Sequence, residues 1–144
     1  MKNLKHTVTL NCEDDDFNEM TVSRSFEMSA IDILEGIENQ GFDPLGMLET
    51  EGILSFDSDN EDDDISVWNL RKDLIVSGMV SILEEELTDL ICNGFLYENF
   101  DVDNSWDASV ESIEFEDEDS VIIEEFSNAI VSMFSNDGRQ IIIA

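Results

Sequence analysis

Apolar and polar residues alternate in two early stretches of the chain, and that period of two marks half-buried strands. Leu4, His6, Val8 and Leu10 occupy alternate positions, and Met20, Val22, Phe26 and Met28 repeat the pattern with Arg24 in register. Together they predict a β-hairpin. The connection from Cys12 to Glu19 contains Glu13, Asp14, Asp15 and Asp16 and is too acidic to pack, so the hairpin displays it at one end as a candidate contact loop.

The period then lengthens to that of a helix. Ser29 with Asp32 resembles a capping box, and Ile31, Leu34 and Ile37 mark one face of a helix that Gly41 ends. Asp43-Pro44 starts a second, shorter helix carrying Leu45 and Leu48 and ending at Gly52, because proline is well tolerated at the first helical position. A short apolar run, Ile53 to Phe56, precedes Asp57 to Asp64, which has no apolar residue and reads as solvated loop or partner contact.

Somewhere between Trp68 and Cys92 the residues Leu70, Leu74, Met79, Ile82, Leu83, Leu87, Leu90 and Ile91 predict a long helix stopped by Asn93-Gly94. Phe95 to Val102 and Val110 to Glu116 read as strands joined through Asp103 to Asp107. Asp119 and Ser120 are placed to cap a last helix with Ile122, Phe126, Ile130, Met133 and Phe134 on its buried face. Asn136-Asp137-Gly138 then turns into a strand from Gln140 to Ile143. Its three isoleucines fit a central strand buried on both faces, the commoner outcome, or an exposed edge that invites a homodimer. Locally paired strands broken irregularly by helices predict one α+β domain over residues 1–144, a largely antiparallel sheet covered by helices.

Charge changes this ordinary picture. The 144 residues include 36 Asp and Glu against 6 Lys and Arg, a formal net charge of −30. Leu, Ile, Val and Phe make up about 31% of the chain, enough for a core, whereas charged chains below ~20% usually stay disordered. Self-repulsion on this scale opposes compaction and is most easily understood if a strongly positive partner receives the surface. A folded chain of this size exposes about 7,500 Å², or roughly one net charge per 250 Å². Duplex DNA carries about one phosphate per 100 Å² of its cylinder. Concentrating the acids on one half of the protein approaches that density. Adaptation to high salt is the bland alternative, but the chain is rich in Ile, Asn, Ser and Phe and has four alanines.

A phosphate mimic needs carboxylates about 6 to 7 Å apart, a spacing that strands give at i,i+2. Glu114, Glu116 and Glu118 fit it, as do Asp101 and Asp103. Helices give ~5 to 6 Å at i,i+3 and i,i+4, which Glu35 with Glu38, Glu85 with Asp89 and Glu86 with Asp89 meet on faces the apolar pattern leaves exposed. The candidate partner-binding residues are therefore Asp14, Asp15 and Asp16, Asp57, Asp59, Glu61, Asp62, Asp63 and Asp64, and Glu114, Glu116 and Glu118. Phe17, Trp68, Trp106 and Phe115 are candidate aromatic anchors beside them.

Other chemistries find less support. Starting a calcium loop at Asp57 puts Asp62 where the turn glycine belongs and Trp68 where the bidentate glutamate belongs; starting at Asp101, Trp106 and Ser112 fail likewise. Cys12 and Cys92 form no Cys-x-x-Cys pair, so no metal or other cofactor is expected and two free thiols are. His6 is the only histidine, expected at a surface strand position, and no nucleophile or phosphate-loop motif accompanies it, so an enzyme is not expected. Lys2, Lys5, Arg24, Arg71, Lys72 and Arg139 form no patch for direct nucleic-acid binding, and anionic lipid would repel the chain. With no apolar run near ~18 residues and no signal-like start, a cytoplasmic protein is expected.

In size, extreme acidity, scarcity of Lys and mixed helix and strand pattern, carried by Asp14-Asp15-Asp16, Asp57 to Asp64 and Glu114 to Asp119, the chain resembles the phage-encoded DNA-mimic inhibitors, among them acidic anti-CRISPR and anti-restriction proteins. The resemblance implies an inhibitor that occupies the Lys/Arg-rich groove of a host nucleic-acid-binding complex and blocks its substrate by competition. Two other readings share the charge: an immunity protein that neutralises a basic nuclease toxin, and an acidic dimeric secretion chaperone whose apolar faces hold an unfolded segment.

Overall fold

The structure, a computed structural model, describes residues 2–57, 65–92, 100, 102, 106–136 and 138–143. The first two alternating stretches become β1 (Asn3–Glu13) and β2 (Glu19–Ser29), paired antiparallel over their whole length from Asn3↔Ser29 to Glu13↔Glu19. Their inward positions include Leu4, Val8, Leu10 and Cys12, each at most 4% exposed. β5 (Asp107–Phe115) lies antiparallel on the other side of β1, giving a sheet of order β2-β1-β5. A register shift opposite Thr9 and Leu10 leaves Glu111 unpaired, as in a β-bulge.

Helix α1 (Ala30–Asn39) follows β2 directly, and the Ser29 side chain accepts the Asp32 N–H at 3.3 Å, the cap the sequence implies. Ala30, Ile33, Leu34 and Ile37 are its buried face, and Gly41, at φ 95°, takes the left-handed turn that ends it. α2 (Pro44–Thr50) begins on its proline and stops at Gly52, φ 78°.

The next region departs from expectation. Trp68 and Leu70 belong to a strand, β4 (Ser66–Leu70), paired antiparallel with β3 (Leu54–Phe56); a 3-10 turn over Lys72–Leu74 then leads into α3 (Ile75–Cys92). The wide apolar spacing of Trp68, Leu70 and Leu74 fits both periods, and sheet pairing decides it. α4 (Asp119–Phe134) starts where expected, but its N-cap is Glu118, with no side-chain cap bond, instead of Asp119 or Ser120.

β6 (Arg139–Ile143) runs parallel to β4, so a second small sheet has the order β3-β4-β6. Gly138 O accepts both the Ser66 N–H, at 3.0 Å, and the Ser66 hydroxyl, at 3.1 Å, fixing that register. β6 is an edge. Ile142 and Ile143 are 41% and 43% exposed, so the favoured expectation of a doubly buried strand fails. One hydrophobic cluster joins the two sheets and the helices, including Leu54 and Leu70 of the second sheet and Phe126 and Ile130 of α4. The chain is thus α+β, and its described residues form two three-stranded sheets in place of one. The predicted strand Phe95 to Val102 lies largely outside the described residues; Phe100 and Val102 are buried but belong to no strand. The Asn93-Gly94 stop lies outside them too.

Candidate acidic interface

Strand register decides which side chains meet on the outer face of the first sheet. Across its three strands the rows read Ser25–Thr7–Glu114, Ser23–Thr9–Ser112, Thr21–Asn11–Ser109 and Glu19–Glu13–Asp107. The middle of this face is a hydroxyl ladder, with Thr7 and Ser25 oxygens 3.0 Å apart and those of Thr9 and Ser23 2.9 Å apart. The last row sets three exposed carboxylates side by side on strands ~4.8 Å apart, where directly opposed like charges destabilise a sheet. None of the three has a cationic partner among the described residues.

The hairpin loop continues this row. Asp14 accepts the backbone N–H of Asp16 at 3.0 Å and of Asn18 at 2.8 Å, and the Asn18 amide at 3.0 Å. The Asn18 side-chain bond above all holds the Asp14 carboxyl below its ordinary range. Asp14 therefore shapes the loop, while Asp15 and Asp16 stand exposed beside it. Phe17 sits at φ 62°, a left-handed backbone unusual for an aromatic residue, and is 81% exposed.

On the other side of Ala108 and Ser109 the acidity resumes. Those two residues line a recess with Glu13, Glu19 and Asp107, and also a groove with Glu84, Glu85 and Asp89 of α3. The strand row and the helix face thus set carboxylates on the two sides of Ala108 and Ser109, and the hairpin loop adds Asp15 and Asp16 at the end of the row.

Several sequence candidates stand elsewhere. Glu114 lies at the far end of the outer face, beside Thr7. Glu116 lies beyond β5, where it accepts the Thr7 hydroxyl at 3.3 Å and pairs with Lys5 Nζ at 3.3 Å, and Glu118 caps α4. β5 ends at Phe115, so of Glu114, Glu116 and Glu118 only Glu114 lies within the strand. Asp57 is half-buried and accepts the Asn69 amide at 3.2 Å. Asp59, Glu61, Asp62, Asp63 and Asp64 lie outside the described residues, as do Asp101 and Asp103. Of the aromatic candidates, Trp68, Trp106 and Phe115 are half-buried against the core, leaving Phe17 as the exposed one.

Two polar residues need correction. His6 is not at the surface: it is 6% exposed, with ring centroids of Phe26 and Phe115 each 5.5 Å away. Glu86, expected on a wet helix face, is 8% exposed, and burial pushes its carboxyl up to about 7.

Cys12 is a buried free thiol whose pKa burial raises. Among the described residues no group of three or more His, Cys, Asp or Glu could hold a metal ion, and no helix is long and apolar enough to cross a membrane. No family model, curated protein or solved structure matches the chain.

Proposed function

We propose that this chain is a nucleic-acid mimic: it binds the Lys/Arg-rich groove of a nucleic-acid-binding protein or complex in a host cytoplasm and inhibits it by competition, as an anti-CRISPR or anti-restriction inhibitor would. The observation that supports the reading is the Glu19–Glu13–Asp107 row, whose three carboxylates have no cationic partner among the described residues, with Asp15 and Asp16 beyond it and the α3 carboxylates across Ala108 and Ser109. A fold that tolerates opposed carboxylates without neutralising them gains nothing from them internally, so their use lies outside the molecule. Phe17, in the midst of this charge, offers a desolvating contact at the centre of such an interface. No step of chemistry is required of the chain. An immunity protein against a basic nuclease would use the same surface.

Competition tests the reading. A partner captured on the immobilised chain, then saturated with it, loses binding to its DNA or RNA, and its affinity for the chain falls steeply with added salt. A ternary complex in which nucleic acid stays fully bound overturns the proposal.

The second sheet favours the chaperone alternative by one observation: Phe56, Ile142 and Ile143, each over 40% exposed, lie at its margins. A persistent dimer in sedimentation at physiological salt supports that reading, and a monomer counts against it.

A further inference from the structure

Beneath the first sheet lies a cavity of about 180 Å³, walled by the sheet's inner face, α1 and α3. Its lining is mostly apolar, with two buried exceptions. His6 Nδ1 has no hydrogen-bond partner, and Glu86 has no cationic or hydrogen-bond partner among the described residues. Buried polar groups are normally satisfied, so the orphaned His6 nitrogen, beside a carboxyl that has no ion pair or hydrogen bond, marks a polar end to which a ligand could bind.

Gly36 supplies a separate sign. It stands in the middle of α1, where alanine would make the better helix, and a Cβ placed on it meets nothing within 4 Å. The missing side chain keeps the cavity open. An apolar protein cavity of ~150 Å³ accommodates a benzene molecule, so this one fits a single ring or a short alkyl chain.

Charge selects the polar end of the ligand. The chain's −30 repels anions, and exposed Gln40, lining the cavity at the C-terminal end of α1, brings the negative pole of that helix beside it. Burial lowers the pKa of His6 and so favours its neutral imidazole, an acceptor when the proton is on Nε2.

We infer that this cavity is a binding site for a small apolar amine, an aromatic ring or short alkyl chain bearing one ammonium that Glu86 neutralises, with His6 as a second, neutral acceptor. The site is independent of the acidic row and of the inhibitory reading.

Calorimetry with 2-phenylethylammonium at 150 mM salt, where surface ion pairing is screened, is the test. Binding is expected, with release of a proton near pH 6 as Glu86 ionises; His6 is the other titratable group lining the cavity. Glu86→Gln should weaken binding at least about tenfold and abolish the proton release. Gly36→Leu leaves the charge unchanged but fills the cavity, and should abolish binding. Gly36→Ala, a better helix former that keeps the fold, should weaken it several-fold. Ethylbenzene and phenylacetate should each bind at least about tenfold more weakly than the amine. Amine binding that survives Gly36→Leu and Gly36→Ala would belong to the surface and overturn the assignment. So would phenylacetate binding as well as the amine, or no amine binding by the folded protein up to about 10 mM.

Discussion

At one end of the first sheet Glu116 and Asp117 meet Lys5 and Lys2 at 3.3 and 3.5 Å; at the other, Glu13, Glu19 and Asp107 meet one another. Both ends belong to the same sheet, and apart from Asp117 these side chains are exposed enough for water to screen them. The chain has only six Lys and Arg, and it places two at the end where β1 begins and β5 runs out. There one more backbone bond, from the Glu116 N–H to Lys5 O at 2.8 Å, and the Asp117 side chain, whose Oδ2 accepts the Lys5 N–H at 2.8 Å, close the pairing. At the opposite end a continuous hairpin holds β1 and β2 together, so repulsion there can be borne by covalent connection and ladder bonds. Compensation sits where the fold needs it, and excess charge sits where the fold can tolerate it.

Reversing that excess gives the largest expected effect. Glu13→Lys, Glu19→Lys and Asp107→Lys together should lower affinity for a cationic partner by about 1,000-fold or more, since each position passes from attraction to repulsion. Any gain in stability should be small: the net negative charge falls, but three lysines in one row oppose one another as the carboxylates did. Competition binding and chemical denaturation measure the two quantities. Undiminished affinity would move the interface elsewhere on the molecule, with the segment from Asp57 to Asp64 first in line.

The interior supplies a third setting for a carboxylate, and a second effect. Glu86 titrates at about 7 when folded against an ordinary 4.5, so the neutral form is the one the fold accepts. Its contribution is fully present below pH 4.5 and is lost as pH rises through 7, up to about 3 kcal/mol. Glu86→Gln should therefore match the parent near pH 4.5 and exceed it in stability at pH 8. His6 acts in the opposite sense, its depressed pKa costing stability as pH falls below 6.5. The difference between the two proteins cancels that contribution. Equal stabilities at pH 8 would show that Glu86 reaches water in the folded state.

Much of this arrangement can be read along the chain, and the part that cannot has a common cause. The hairpin, α1 with its Ser29 cap, the α2 start at Pro44 and the stops at Gly41 and Gly52 all follow from local patterns, because each depends on neighbours within a few residues. The acidic row was half legible. Glu13 and Glu19 face each other by the register of a hairpin, but Asp107 joins them through pairing between segments almost a hundred residues apart, which alternation alone does not specify. Similarly, the parallel β4–β6 pair turned Trp68 and Leu70 into strand residues and left Ile142 and Ile143 on an edge. Periodicity put Glu86 opposite the apolar face; α3, however, packs against β5 and α4 and borders the cavity, so its buried surface is wider than a single stripe. Strand counting also carried Glu116 and Glu118 past the point where β5 ends.

Lys5→Ala should have the smallest effect and so tests the compensated end most sharply. The Lys5 and Glu116 side chains are 52% and 48% exposed, and such pairs contribute about 0.2–1 kcal/mol, less as salt is added. The substitution leaves the backbone bond from Lys5 N–H to Asp117 in place. A loss below about 0.5 kcal/mol, shrinking in 1 M salt, with partner affinity unchanged, is the expected result of parallel denaturation and binding measurements. A loss above about 2 kcal/mol would mean that the lysines hold the sheet against its own charge, since a screened surface pair cannot supply that much. The bare end would then depend on the neutralised one, and lysine added at Glu13 or Glu19 would rescue the Lys5→Ala protein.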